Sequence, residues 1–381
     1  LTFFAFVVLM VGLGSNDSLR GIFSTIFQEH FSLTTTQLGL IVTASYIGNL
    51  VFLLVGGNLS TRFSKKRVLQ VLILIWMAAL ALFAFTSNYT VLLIGMALAL
   101  GSSTLLNTTM NLITPLLFAT APGFFVNFLF FTQEIGTSGS QYVLGSHADG
   151  FAFWQHTNLV LLILGAVAFV LLLFCNVPEE AAAPADTPAQ KGGYDWRIVV
   201  PYVLVFGFYF IAEHGVMNWM VAYGVDGLGL PQASAAKYLS VFFGGMMIGR
   251  LCLSPLVDKL GALKSLAAFG GVSCVLYLIG SLGGAVAMPI WAISGLSFSI
   301  LYPTLVMSIR LYFPAQQVSG AAGTILSIAS LADILFNVGF GKLVDMAGYA
   351  VSIRVLPLSV LAFFIVFMLF TKFCKPTQKL K

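Results

Sequence analysis

The sequence predicts an all-α polytopic membrane protein, with about twelve transmembrane helices arranged as two pseudo-symmetric six-helix bundles. Three observations carry this. Apolar residues of the AVILMFWYC set make up 59% of the 381-residue chain and charged residues 8%, whereas soluble domains carry roughly 25% charge. Apolar runs near the ~20 residues needed to cross a bilayer recur along the whole chain. One long hydrophilic segment, "NVPEEAAAPADTPAQKGGYDW" at 176–196, divides those runs into two sets. Runs such as "VLQVLILIWMAALALFAF" (68–85) are apolar on every face, unlike the short alternating strands of a membrane β-barrel.

Polar, Gly/Pro and charged interruptions place the first six spans near 1–28, 36–58, 68–87, 90–115, 122–146 and 155–175. The second six fall near 197–225, 232–257, 264–284, 287–310, 316–342 and 349–372. The domains are then an N-terminal bundle (1–175), a linker (176–196) rich in Pro, Ala and acid, a C-terminal bundle (197–372) and a tail (373–381). The first run lacks a basic n-region and a small-residue cleavage site, so it reads as a mature span rather than a signal peptide.

Orientation follows from Lys and Arg. With the linker in the cytoplasm, Arg62, Lys65, Lys66, Arg67, Lys191, Arg197, Lys259, Lys264, Arg310 and the Lys-rich tail lie inside, while Lys237, Lys342 and Arg354 lie outside. This positive-inside asymmetry puts both termini in the cytoplasm, with the cell membrane as the expected location. It also accounts for the net charge of +5 without a nucleic-acid partner. Cys175, Cys252, Cys274 and Cys374 are isolated and show neither metal spacing nor a disulfide pattern.

Polarity repeats every third span. Spans 3, 6, 9 and 12 carry almost nothing polar away from their ends and read as outer braces. Spans 1, 4, 5, 7 and 11 carry Asp17 and Arg20; Asn107 and Asn111; Gln133 and Glu134; Glu213, His214 and Asn218; Asp333 and Asn337. A charge at the middle of a span costs roughly 2.5–3.5 kcal/mol on insertion scales, so these groups are expected to face a protein interior or a wet cavity.

The halves also share a motif. "GNLSTRFSKKR" (57–67) follows span 2, and "GRLCLSPLVDKLG" (249–261) occupies the matching place at the end of span 8. The first resembles the loop motif Gly-x-Leu-x-Asp-Arg-x-Gly-Arg/Lys-Arg/Lys of the major facilitator superfamily, and the second is similar to its counterpart. Thr61 and Ser64 stand where that motif has Asp and Gly; Asp258 is kept in the second copy. The resemblance implies a gating motif made of Gly57, Arg62, Lys65, Lys66, Arg67, Arg250, Asp258, Lys259 and Gly261, clamping cytoplasmic helix ends in an outward-open state. Positive-inside topology alone is the plainer reading.

"GSSTLLNTTMNLITP" (101–115), "YFIAEHGVMNWMVAYGVDGLGL" (209–230) and "SFSILYPTLVMSIR" (297–310) resemble the fucose/glucose proton-symporter branch. That branch implies proton-coupled uptake of a monosaccharide. It commonly has Glu in span 4 where this chain has Asn107, which implies either a different proton carrier here or a different coupling. Asp17 lies about one helical turn from the branch's span-1 Asp.

The proton-coupling candidates are Glu213, Glu134, Asp17, Arg20 and Asp333. Burial in a low-dielectric span disfavours an ionised carboxyl, which suits a group that gains and loses a proton; a structural tie to another helix is the alternative for each. Asp17 and Arg20, three residues apart, are expected to form an ion pair that offsets part of their burial cost. The substrate-binding candidates are Asn107, Asn111, Gln133, Glu134, Gln141 and Asn218, with Tyr46, Trp219, Tyr223 and Tyr302 as stacking surfaces. Ser103, Asn107 and Asn111 share one face of span 4, and Asn127, Glu134, Ser138 and Gln141 one stripe of span 5. Amides, hydroxyls and acids supply the donors and acceptors that sugar hydroxyls need, and they serve helix packing equally.

No P-loop, dinucleotide fingerprint, metal set or nucleophile elbow is present in the sequence. A non-enzymatic secondary active transporter is therefore expected, without cofactor, monomeric, moving a small hydrophilic solute with protons by alternating access, a sugar first. The alternative is a proton-driven exporter of a drug, lipid or metabolite in the same fold, which the 35 Phe residues permit. A receptor would want a soluble signalling domain that the short linker and tail do not provide.

Overall fold

A computed structural model describes residues 1–118, 122–178 and 194–376; side chains at 53–62, 112, 115, 122–124, 127, 254, 258, 315, 316 and 319 lie outside the description. No strand occurs among the described residues. The helices are α1 (Thr2–Ile22), α2 (Ser24–His30), α3 (Thr35–Arg62), α4 (Lys65–Phe85), α5 (Tyr89–Leu117), α6 (Pro122–Val143), α7 (Phe151–Leu173) and α8 (Trp196–Ala222). They continue as α9 (Gln232–Leu260), α10 (Ala262–Leu282), α11 (Met288–Ile293), α12 (Gly295–Phe298), α13 (Leu301–Ile309), α14 (Ala315–Ala347), α15 (Tyr349–Ser352) and α16 (Val355–Phe373). With α1–α2, α11–α13 and α15–α16 each forming one pass, they make twelve passes. Ten are long and apolar enough to cross a membrane among the described residues; α3 and α6 complete the set.

Short polar signals set the ends. The Ser64, Asn88 and Asp195 side chains cap α4, α5 and α8 by accepting from Arg67 N, Val91 N and Arg197 N at 3.4, 3.2 and 3.0 Å. Gly261 (φ 82°) and Gly348 (φ 75°) end α9 and α14 in the left-handed region that glycine tolerates. The tenth pass, expected as one run, is broken twice. Ser294, Ser297 and Ser299 each turn their hydroxyl onto the carbonyl three residues back, at 2.5, 2.9 and 2.7 Å. Such local bonds compete with the helical ladder.

The braces behave as their composition predicts. α4 and α7 pack on each other and on α5 and α1, while α10 and α16 pack on each other and on helices of the second half. Val160, Ile163, Val167 and Val170 form an exposed stripe along α7, and Val272, Val275, Ile279 and Leu282 do so on α10. Faces of that kind suit hydrocarbon and not water.

The two six-helix bundles meet through α3–α14, α6–α9 and α1–α8. The hydrogen bonds and ion pairs joining them among described residues run from mid-span to one end, here called the closed end. Ser138 and Ser240 bond each other's carbonyls at 3.0 and 2.8 Å. Nearer the rim, Gln232 Nε2 donates to Ile22 O at 2.6 Å. Asp345, at the end of α14, caps α3 of the other half: its oxygens accept from Thr35 N at 2.8 Å, and from Thr36 N and Oγ1 at 2.7 and 2.5 Å. A carboxylate at a helix N-terminus is favoured by the orphan N–H groups and the dipole. Asp345→Ala is expected to cost about 0.5–2 kcal/mol, as loss of an N-cap does, read as a lowered unfolding midpoint in detergent.

Three glycines allow the closed end to close. A Cβ on Gly21, Gly39 or Gly341 would overlap the backbone carbonyl of Met217, Asn337 or Thr35 across the interface.

Candidate solute site between the two halves

Polar groups gather mid-span in a column along one face of α5. In α1, Gly12 and Gly14 of "GLGSNDSLRG" let the helix lie against Trp76 and the Gln133 carbonyl. This close approach aims Asp17 at α5. Its carboxylate accepts from Asn16 Nδ2 at 3.3 Å and from Ser103 Oγ at 3.2 Å. One turn along α5, Asn107 Nδ2 donates to Gln133 Oε1 at 2.6 Å, and Asn111 Nδ2 donates to Asn107 Oδ1 at 2.7 Å. The Ser103–Asn107–Asn111 face is thus turned to α1 and α6. Asp17, Asn107, Asn111 and Gln133 are each half-buried.

The expected Asp17–Arg20 ion pair is not formed. Asp17 turns to Asn16 and Ser103, while the Arg20 guanidinium lies over the Tyr46 ring, 5.7 Å from its centroid. A spacing of three puts the two on adjoining faces, and the nearer hydroxyl and ring win over mutual contact. Arg20 remains within electrostatic reach of Asp17.

Two charge pairs complete the site. Glu134 of α6 and Arg250 of α9 form an ion pair across the two halves. Arg250, expected in the gating motif, instead points its side chain into the interior, because its position in "GGMMIGRLCL" is inside the span and not at its end. His214 Nδ1 meets Asp333 Oδ2 at 2.5 Å, joining α8 to α14; the His side chain is 24% exposed and the Asp 2%. The His214 ring is stacked between Phe210 and Tyr46, centroids 5.5 and 5.3 Å away. Glu213 is half-buried and within electrostatic reach of Arg250.

Other candidates fall elsewhere. Tyr46 is buried, and its hydroxyl accepts from Asn218 Nδ2 at 3.3 Å, so it bridges the halves. Trp219 is fully buried in the α8–α14 contact, donating to Asn337 Oδ1 at 2.9 Å. Tyr223 sits in the π-turn Tyr223–Gly227, against Trp291 and Tyr349 and away from the column. Gln141 is completely buried with neither amide atom bonded. Tyr302 is half-buried against Phe206, Tyr209 and Phe210. Asn127 lies outside the described side chains.

Of the loop motif, the side chains at Gly57, Arg62 and Asp258 lie outside the described ones. Lys66 Nζ donates to Leu173 O and Cys175 O at 3.0 and 2.8 Å, so it caps α7 within its own half. Arg67 lines an apolar groove of about 810 Å³ between α3, α4, α5 and α7, which includes Leu105 on the opposite side of α5 from the column. Lys259 is exposed at the end of α9, which Gly261 terminates. No group of three or more His, Cys, Asp or Glu able to hold a metal occurs among the described residues.

The sequence reading missed His214 as a partner for Asp333 and Arg250 as a partner for Glu134. The second had a signal: a guanidinium inside an apolar span needs an acid.

Residues 2–335 match the profile of the Major Facilitator Superfamily. The chain is 25% identical over 331 residues to the L-fucose-proton symporter of Escherichia coli (strain K12), covering 76% of this chain and 75% of that protein. It is 26% identical over 345 residues to a glucose/galactose transporter of Brucella abortus biovar 1 (strain 9-941), covering 84% and 81%. The xylose transporter of E. coli, solved in an inward open conformation, superposes with a TM-score of 0.79 at 15% identity, covering 99% of this chain and 96% of that one.

Proposed function

This chain belongs to the major facilitator superfamily, and on that premise we propose that it is a proton-coupled symporter carrying a small hydrophilic solute of the sugar class. The observation that carries this reading is the set of half-buried polar groups from Asp17 to Asn111 on α1, α5 and α6, two of which, α1 and α6, pack on the second bundle. Its amides and hydroxyl offer both donors and acceptors, as a polyol requires. The relatives named for fucose, glucose and galactose point the same way.

The linker, both termini and Lys65, Lys66 and Arg67 face the cytoplasm, by the positive-inside rule, and the protein resides in the cell membrane as a monomer. The closed end is then extracellular and the structure inward-facing. The two bundles rock about the site to expose it alternately.

Asp333 and His214 are the proton-exchanging pair. A buried carboxylate bonded to a partly exposed imidazole gives the proton a route to water. Asp333→Asn is expected to abolish proton-driven accumulation while solute counterflow persists, because exchange of bound solute needs no net proton step. Purified protein in liposomes with an internal pH dye tests the whole reading. Solute-dependent proton entry over a sugar panel is expected, and its absence for every sugar would remove the proposal.

A further inference from the structure

We propose that the solute carries a carboxylate, as a sugar acid does, and that Arg20 is its seat. This rests on the reading of the chain as a transporter of sugar-class solutes. Arg20 is 5% exposed, its Nε is buried without a hydrogen-bond partner, and no described residue forms an ion pair with it. The carboxylates of the region are engaged with other groups: Asp17 accepts from Asn16 and Ser103, Asp333 pairs with His214, Glu134 pairs with Arg250, and Glu213 lies within electrostatic reach of Arg250.

Arginine cannot shed its proton, and Asp17 balances this guanidinium only across space without bonding it, which leaves its donors open to an anion. The planar fork of donors matches a carboxylate in two parallel bonds. One guanidinium balances one negative charge, and Asp17 within electrostatic reach disfavours a second; a carboxylate monoanion fits where a phosphate dianion does not.

The surroundings supply the rest of the molecule's needs. Tyr46, beneath Arg20, accepts from Asn218, whose own Oδ1 is buried and unbonded. That acceptor is placed for a hydroxyl donor. A solute with an acidic head at Arg20 and a hydroxyl toward the Asn218 amide satisfies both.

The test measures binding by thermal shift, and counterflow in liposomes, for glucuronate, glucose and glucose 6-phosphate, with wild type, Arg20→Gln and Arg20→Lys. Ligand-free unfolding of each variant shows whether it folds. Wild type is expected to bind and exchange glucuronate in preference to the other two. Arg20→Gln should weaken glucuronate roughly tenfold to a hundredfold, the worth of lost charge-assisted bonds. Arg20→Lys, which keeps charge without the fork, should recover only part of this. Glucose taken equally well or better overturns the acid while leaving the sugar-class transporter intact. Preference for glucose 6-phosphate overturns the carboxylate, and glucuronate binding indifferent to Arg20 in a folded variant overturns the seat. Binding of none of the three, and of no sugar in the panel, overturns both readings.

Discussion

Arg250→Gln is expected to abolish transport and to destabilise the protein by about 3 kcal/mol, because it strands the Glu134 carboxylate in the interior. The Glu134 side chain is 15% exposed and that of Arg250 29%, so partial screening keeps the cost at the low end of the ~3–5 kcal/mol seen when one member of a buried pair is removed. Glu134→Gln is expected to be milder in stability, since the more exposed guanidinium is the one left behind. The double variant should recover most of the stability, because neither charge then lacks a partner. Thermal unfolding of the three variants gives the coupling between the residues, and liposome uptake gives the functional loss. Wild-type uptake by Arg250→Gln would show that the pair does not hold the halves.

The second large effect is expected at Gly39. Its Cβ position overlaps the Asn337 carbonyl across the interface, so Gly39→Val must push α3 from α14. Overpacking of that kind costs about 1–3 kcal/mol. Applied only when the closed end is shut, it shifts the balance toward opening there by roughly tenfold for each 1.4 kcal/mol. Ser18, completely buried in α1, provides the probe. In a background lacking the four native cysteines, a cysteine at that position should be alkylated faster from the closed-end side in Gly39→Val. Gly341→Ala, which meets Thr35 from the opposite helix, should act alike. Gly14→Ala is the contrast, because it meets the Gln133 carbonyl inside one half. It should lower stability without raising that labelling rate.

The passes were legible in the sequence because hydrocarbon penalises polar groups strongly enough to mark their ends. The second span, expected at 36–58, is α3 (Thr35–Arg62), and the eighth, expected at 232–257, is α9 (Gln232–Leu260). The faces of α5 were legible too, since a four-residue spacing fixes which side chains share a side. Partnership between distant helices was not. Whether Asp333 meets His214, or Arg250 meets Glu134, depends on how each helix is rotated about its axis, and one apolar sequence allows many rotations. Arg20 shows the same limit at close range: spacing brought it near Asp17, but Asp17 turns to Ser103 of α5 and Arg20 to Tyr46 of α3, partners that only the packed helices supply. The breaks in the tenth pass were hidden for another reason. Serines within "ISGLSFS" are compatible with an unbroken helix, and only the direction of their hydroxyls decides.

The Asp345 cap and the Glu134–Arg250 pair stand at different distances from the fulcrum of the proposed rocking. The pair lies mid-span, where contact between the halves gives out, so a given tilt changes its length least. The cap lies at the rim on the longest lever arm, where the same tilt parts Asp345 from Thr35 and Thr36 and loses all three of its bonds together. Binding strength at the two places therefore does separate jobs. In the proposed rocking, energy invested at the fulcrum would be kept as the halves tilt, whereas energy at the rim is a bias on one state alone, and a change there would reset the resting position without loosening the axle.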